Sequence, residues 1–227
     1  MPNDQSNDLF DRLASGAAAE WSRYVDHAFV RGMGDGSLPE PAFRHYLAQD
    51  YLFLTHFARA YALAVYKGRN LADMRASLNG LKAILDVEMD LHVSLCAGWG
   101  IAEDELERTP ESKATMAYTR YVLETGLRGD LLDLHVALSP CVIGYAEIGK
   151  RLAATPGALD DANPYRVWIA EYAGEAYQSV AASARATLNR LAADSLTPAR
   201  FPRLLTIFAQ ASRLEADFWD MGLTLAD

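Results

Sequence analysis

Apolar side chains recur along most of this chain at alternating steps of three and four. That spacing keeps them on one face of an α-helix and is incompatible with the period of two of a half-buried strand. Phe43, Leu47, Leu54, Phe57 and Tyr61 make one stripe, Leu134, Leu138, Tyr145, Ile148 and Leu152 a second, and Leu204, Phe208 and Phe218 a third. Glycine and proline gather between the stripes, at Gly32 to Gly36, Gly68, Gly98 to Gly100, Pro110, Gly126 to Gly129, Pro156 with Gly157, Pro164 and Pro198. Helix starts are signalled by Ser37-Leu38-Pro39-Glu40, which reads as a capping box, by Thr109-Pro110, Asn163-Pro164 and Thr197-Pro198, and by Asp130. The pattern predicts about seven helices, over roughly 8–33, 38–67, 71–97, 110–126, 131–154, 164–193 and 198–224. No repeat or linker divides them, so a single all-α domain spanning 1–227 is expected.

Apolar residues make up 51% of the 227 and charged residues 22%, enough to bury a sizeable core. The net charge of -9 repels a phosphate backbone, which disfavours nucleic-acid binding. Asp4, Asp8 and Asp11 replace the basic and apolar regions of a secretory signal, and Asp50, His56, Asp133 and His135 break the most apolar windows. A cytoplasmic protein with no membrane partner is expected. Two cysteines, Cys96 and Cys141, are too few for a disulfide scaffold, so each is a buried thiol or a reactive one.

The polar residues on the apolar stripes carry the chemical information. Asp50 falls mid-stripe in the second predicted helix, Cys141 and Tyr145 in the fifth, and Glu215 in the last. The third helix adds Glu88 and His92 to Met74, Leu78, Leu81, Leu85, Leu95 and Trp99. An inward carboxylate is costly unless paired, so Asp50 and Glu215 are either satisfied structural groups or functional ones. Cys141 alone reads first as a small hydrophobe, Tyr118, Tyr121 and Tyr172 each as core rings with one wet end, and Tyr145 either way. Taken together, two carboxylates, a thiol and several tyrosines from separate helices describe a small-molecule pocket. Pro140 removes the helix bond to the Val136 carbonyl and is expected to kink the helix beside Cys141. Glu88 and His92, four apart, read as a pair steadying their helix. The repeated Glu-x-x-His spacing of a di-iron bundle is missing, so no metal is expected.

Four segments in order resemble the thiaminase II family, also called the TenA family. They are His27-Ala28-Phe29 before Gly34-Asp35-Gly36-Ser37-Leu38-Pro39, Tyr46 through Leu54, Ser139-Pro140-Cys141 through Gly149, and Arg213-Leu214-Glu215 followed by Phe218-Trp219. The resemblance spans nearly the whole chain and is to the branch that carries a cysteine. It implies a heme-oxygenase-like helical fold, a homotetramer and no cofactor. The activity it implies is hydrolysis of 4-amino-5-aminomethyl-2-methylpyrimidine, and in some members thiamine, to the hydroxymethylpyrimidine. By motif position, Cys141 resembles the nucleophile, Glu215 the general acid and base, and Tyr118 the tyrosine that enhances thiol reactivity. Asp50, Tyr145 and Tyr172 resemble the residues that hold substrate. Phe53 stands where many members have a tyrosine, which removes one hydroxyl from the thiol's surroundings.

A free thiol is only about 3% ionised at pH 7, so this chemistry requires hydrogen bonding to Tyr118 or a proton acceptor near Cys141. Two rival classes remain: a regulatory or pyrimidine-binding protein, and a metal-dependent oxidase on the same fold. Cys141→Ala is expected to abolish hydrolysis and Cys96→Ala to retain most of it, because only Cys141 shares a face with Tyr145. Steady-state assays of both folded variants check this, and equal losses would overturn it.

Overall fold

Helix is the regular structure throughout residues 8–227, which the computed structural model describes, and no strand occurs among them. Residues 1–7, with Asp4 of the acidic N-terminal stretch, lie outside the described residues. The α-helices are α1 (Leu9–Gly16), α2 (Ala18–Val25), α3 (Ala28–Asp35), α4 (Glu40–Lys67), α5 (Leu71–Ala83), α6 (Met89–Gly98), α7 (Glu103–Arg108), α8 (Lys113–Arg128), α9 (Leu131–Ala153), α10 (Arg166–Ala173), α11 (Glu175–Ser195) and α12 (Phe201–Thr224). A π-helical segment, Ile84–Glu88, joins α5 to α6.

Twelve α-helices among the described residues replace the seven expected, because local breaks fall inside long apolar patterns. The first predicted helix breaks at Ala17 and again at His27, whose extended backbone and Nδ1 cap the Phe29 amide. Gly174 adopts an extended backbone and divides the sixth predicted helix into α10 and α11. The short α7 fills what reads as a connection. Asp130 caps α9 in a reciprocal box with Asp133, as its position suggests. The Ser37 box does not form: the Ser37 amide donates to Asp35, and α4 starts after Pro39 without a side-chain cap. Ser112, not Thr109, caps α8. Thr197 accepts from the Arg200 amide one residue before α12 begins.

The third predicted stripe is turned outward in part, with Leu81, Leu95 and Trp99 packed against the core. Met74, Leu78 and Leu85 are exposed, while Asp73 and Ser77 are buried. Gly80 explains the rotation, because a Cβ there would run into the Tyr61 ring of α4, so α5 packs through its small and polar face. Asp73 is compensated by an ion pair to Arg190.

Helix α9 is the axis of the bundle and packs against α3, α4, α8, α10, α11 and α12. It is long and apolar enough to cross a membrane by those criteria, yet 94% of its apolar window is buried inside the bundle, which accounts for that composition. Pro140 leaves α9 helical throughout: Ser139 Oγ donates to the freed Val136 carbonyl at 2.9 Å. The Tyr24 hydroxyl donates to the Pro140 carbonyl at 3.3 Å, which ties α2 to α9 at the same turn. Gly144 makes room for that ring, since a Cβ there would lie 2.5 Å from Tyr24 Cε1. Gly144→Ala must displace Tyr24, a cost of roughly 1–3 kcal/mol. A fall in melting temperature of about 3–10 °C is the expected outcome in thermal denaturation.

Candidate functional site

Five helices converge on the residues that the sequence singles out. Asp50 and Phe53 come from α4, Tyr118 from α8, Cys141 and Tyr145 from α9, Tyr172 from α10 and Glu215 from α12. None is more than 8% exposed. Periodicity explains the shared direction: 50 and 53, and 141 and 145, are separated by one helical turn.

Two polar pairs organise the interior. The Tyr118 hydroxyl donates to Glu215 Oε1 at 2.8 Å, and the Tyr46 hydroxyl donates to Asp50 Oδ2 at 3.0 Å while accepting from Trp168 Nε1 at 3.2 Å. Aromatic rings close the space around them. Phe53 lies 5.0 Å from the Tyr118 ring, and Tyr145 packs between Tyr172 at 5.0 Å and Trp219 at 5.4 Å. The Trp219 indole N–H is buried with no partner among the described residues.

Electrostatics follow from this burial. Loss of water pushes the Glu215 carboxyl up to about 8, aided by the charge of Asp50 and opposed by the Tyr118 hydrogen bond. Burial also raises Asp50, against the opposing pull of His92 and Tyr46. The Cys141 thiol is driven well above the ordinary thiol range, first by burial and then by Glu215, Glu88 and Asp50. A resting thiolate is therefore disfavoured. Among the neighbouring charges, that of Glu215 opposes thiolate formation most strongly. The Tyr118 proton is directed at Glu215 rather than at the thiol.

A cavity of about 570 Å³ opens beside this cluster, between the π segment with α6 and α10 with α11. Glu88, His92, Trp168, Glu171, Tyr172 and Tyr177 are among its walls. Of the residues singled out for the site, Tyr172 is in that lining, and Tyr145 packs behind it towards Cys141. Glu88 and His92 do not steady their helix as a pair. The π segment ends at Glu88, which faces the cavity and is pushed up to about 8 by burial, whereas both ring nitrogens of His92 face α4. Tyr46, Trp168 and Trp219 complete the site without having been singled out from the sequence. Tyr46 was legible in principle, since it precedes Asp50 by one turn.

A model of the TENA/THI-4/PQQC family matches residues 16–225. The chain belongs to the TENA/THI-4/PQQC family. Within that family it is 41% identical over 203 residues to an aminopyrimidine aminohydrolase of Halalkalibacterium halodurans, covering 89% of each chain. A TenA family transcription regulator from Silicibacter superposes with a TM-score of 0.91 at 43% identity, over 95% of this chain and 96% of that one. A domain with a heme oxygenase-like fold from Shewanella denitrificans matches at TM-score 0.75 and 14% identity, over 95% and 92% of the two chains. The all-α, heme-oxygenase-like fold expected of the family is thus the fold observed.

Glu215 gives a pH-dependent stability test. Its carboxyl is near 4.3 in an unfolded chain and about 8 when folded. The folded protein therefore binds more protons between those limits and loses stability as pH rises through them. Glu215→Gln mimics the protonated acid and lacks this loss. Its melting temperature relative to the parent is expected to rise from pH 5 to pH 8 and level off above, measured by calorimetry.

Proposed function

We propose that this chain, acting as one domain over 1–227, is an aminopyrimidine aminohydrolase of the thiaminase II type. It converts 4-amino-5-aminomethyl-2-methylpyrimidine, with thiamine as a second candidate substrate, to 4-amino-5-hydroxymethyl-2-methylpyrimidine. The observation that carries this reading is the buried Cys141 thiol coupled to the Tyr118–Glu215 pair, in a chain whose relative from Halalkalibacterium halodurans bears that activity as its name.

In the proposed reaction Asp50 accepts a hydrogen bond from the exocyclic amino group, while Tyr145 and Tyr172 pack on the ring. Glu215 takes the thiol proton as Cys141 sulfur adds to the electron-poor pyrimidine. The C–N bond at the 5-methylene carbon then breaks, and the departing amine leaves with the proton from Glu215. Water adds to the methylene carbon and loses a proton to Glu215. The carbon–sulfur bond breaks, the ring regains its electrons, and the proton returns to sulfur. Each step is carried by the chain's own residues, so the reaction as written calls for no cofactor or metal.

We place the enzyme in the cytoplasm as a homotetramer. The outward apolar residues Met74, Leu78 and Leu85 favour assembly, since an exposed apolar band marks an interaction surface. The Silicibacter relative is called a transcription regulator, and a regulatory reading would require DNA binding. The charge of -9 opposes it, and an electrophoretic shift on random duplex at low salt would revive it.

The functional test is hydrolysis of the aminomethylpyrimidine and of thiamine, with mass spectrometry of the pyrimidine product. No hydroxymethyl product from either would overturn the assignment. Phe53 supplies a finer prediction. Its ring lies beside Tyr118, so Phe53→Tyr tests whether an added hydroxyl reaches the thiol. One added hydrogen bond contributes roughly 0.5–1.5 kcal/mol, so kcat is expected to rise by about 2- to 10-fold. Measuring kcat with the pH dependence of Cys141 alkylation checks it. An unmoved thiol titration with an unchanged or lower rate would show that Phe53 only fills space.

A further inference from the structure

Glu88 and His92 stand out in the sequence, and the reaction above uses neither. His92 is only 5% exposed, and its Nε2 lies 2.7 Å from the Leu47 carbonyl. A carbonyl oxygen can only accept, so Nε2 carries the hydrogen and the orientation of the ring is fixed. Nδ1 then faces Asp50 Oδ2 at 3.5 Å, the oxygen that also accepts from the Tyr46 hydroxyl. Asp50 Oδ1 is left as the oxygen available to a ligand. The same imidazole forms part of the cavity wall. It is carried there by α6 directly after the π segment, an irregularity that often re-aims side chains at functional sites.

The charged and titratable groups that sense Asp50 come from every element around it. They are Tyr46 on α4, Glu88 on the π segment, Cys96 and His92 on α6, Cys141 and Tyr145 on α9, Tyr172 on α10, and Glu215 on α12. All but His92 are acids, which are neutral or negative and cannot help Asp50 to ionise by charge. Among these groups His92 alone can carry positive charge, which it does when Nδ1 holds a proton as well as Nε2 and so donates towards Asp50.

We propose that His92 is a positioning residue for the aminopyrimidine site: anchored on the Leu47 carbonyl, it holds Asp50 in the ionised and correctly turned form that receives the substrate's exocyclic amino group. This rests on the hydrolase reading above. Burial opposes ionisation of Asp50, and His92 counters it. Without His92, Asp50 takes up a proton at higher pH, and a protonated, freely turning carboxyl is a poorer acceptor for the amino group.

Binding is a better readout than turnover, because Glu215 titrates during the reaction. Affinity for 4-amino-5-hydroxymethyl-2-methylpyrimidine is therefore measured by calorimetry from pH 5 to pH 9 in the Glu215→Gln protein, with and without His92→Gln. The carboxyl ¹³C resonance of Asp50 is followed in the same ligand-free proteins. With His92→Gln the acidic fall-off in binding and the Asp50 titration are both expected to move to higher pH by at least about one unit, which is about tenfold weaker binding below both midpoints. His92→Asn, measured in the same way, carries the test if the glutamine variant fails to fold. Lower thermal stability with both titrations unmoved would overturn the proposal and leave His92 a packing residue. Absence of pyrimidine binding in every protein, with the Asp50 resonance still shifting, would overturn the hydrolase reading and keep the His92–Asp50 coupling.

Discussion

Burying Asp50 and Glu215 in an aromatic interior is the constraint that shapes the rest of the molecule. An isolated carboxylate moved out of water pays several kcal/mol, so each acid must be hydrogen-bonded, paired or protonated. Glu215 meets that demand with the Tyr118 hydroxyl and a carboxyl pushed up to about 8, and Asp50 with Tyr46 and His92. Those partners lie on α8, α4 and α6, so α8 must pack against α12, and α6 against α4, for the acids to be tolerated at all.

The same burial produces reactivity. A carboxyl that titrates near neutrality exchanges a proton readily in both directions, whereas an exposed glutamate would stay ionised. Cys141 gains nothing from a cation, because its neighbours are acids and phenols. In the proposed reaction it therefore hands its proton to Glu215. Such a transfer requires rigid packing: α9, deeply buried, carries the thiol, Ser139 Oγ meets the carbonyl that Pro140 frees, and Tyr24 ties α2 to the same turn. The loss of regular α geometry in this region falls instead at Ile84–Glu88, on the wall of the cavity.

The sequence by itself determined the helical class, because the three-and-four spacing is a local property of each segment. It also marked Asp50, Cys141, Tyr145 and Glu215, since a polar residue on an apolar stripe is visible without knowing what the stripe faces. The resemblance added Tyr118, Tyr172 and Phe53. Helix interruptions were less legible: His27 and Gly174 end helices through backbone angles that their neighbours' apolar pattern conceals. The third stripe misled for a related reason. Which face of α5 turns inward is decided by the fit of Gly80 against Tyr61, a contact between helices. The partners of the acids were likewise hidden, because Tyr118 and Glu215 are 97 residues apart, and His92 meets Leu47 across 45. Spacing along one helix suggested that Glu88 and His92 pair, but the π segment gave them separate surroundings. Periodicity reports only which side chains share a face. What they touch there, and hence their charge and chemistry, depends on long-range packing that only the tertiary structure decided.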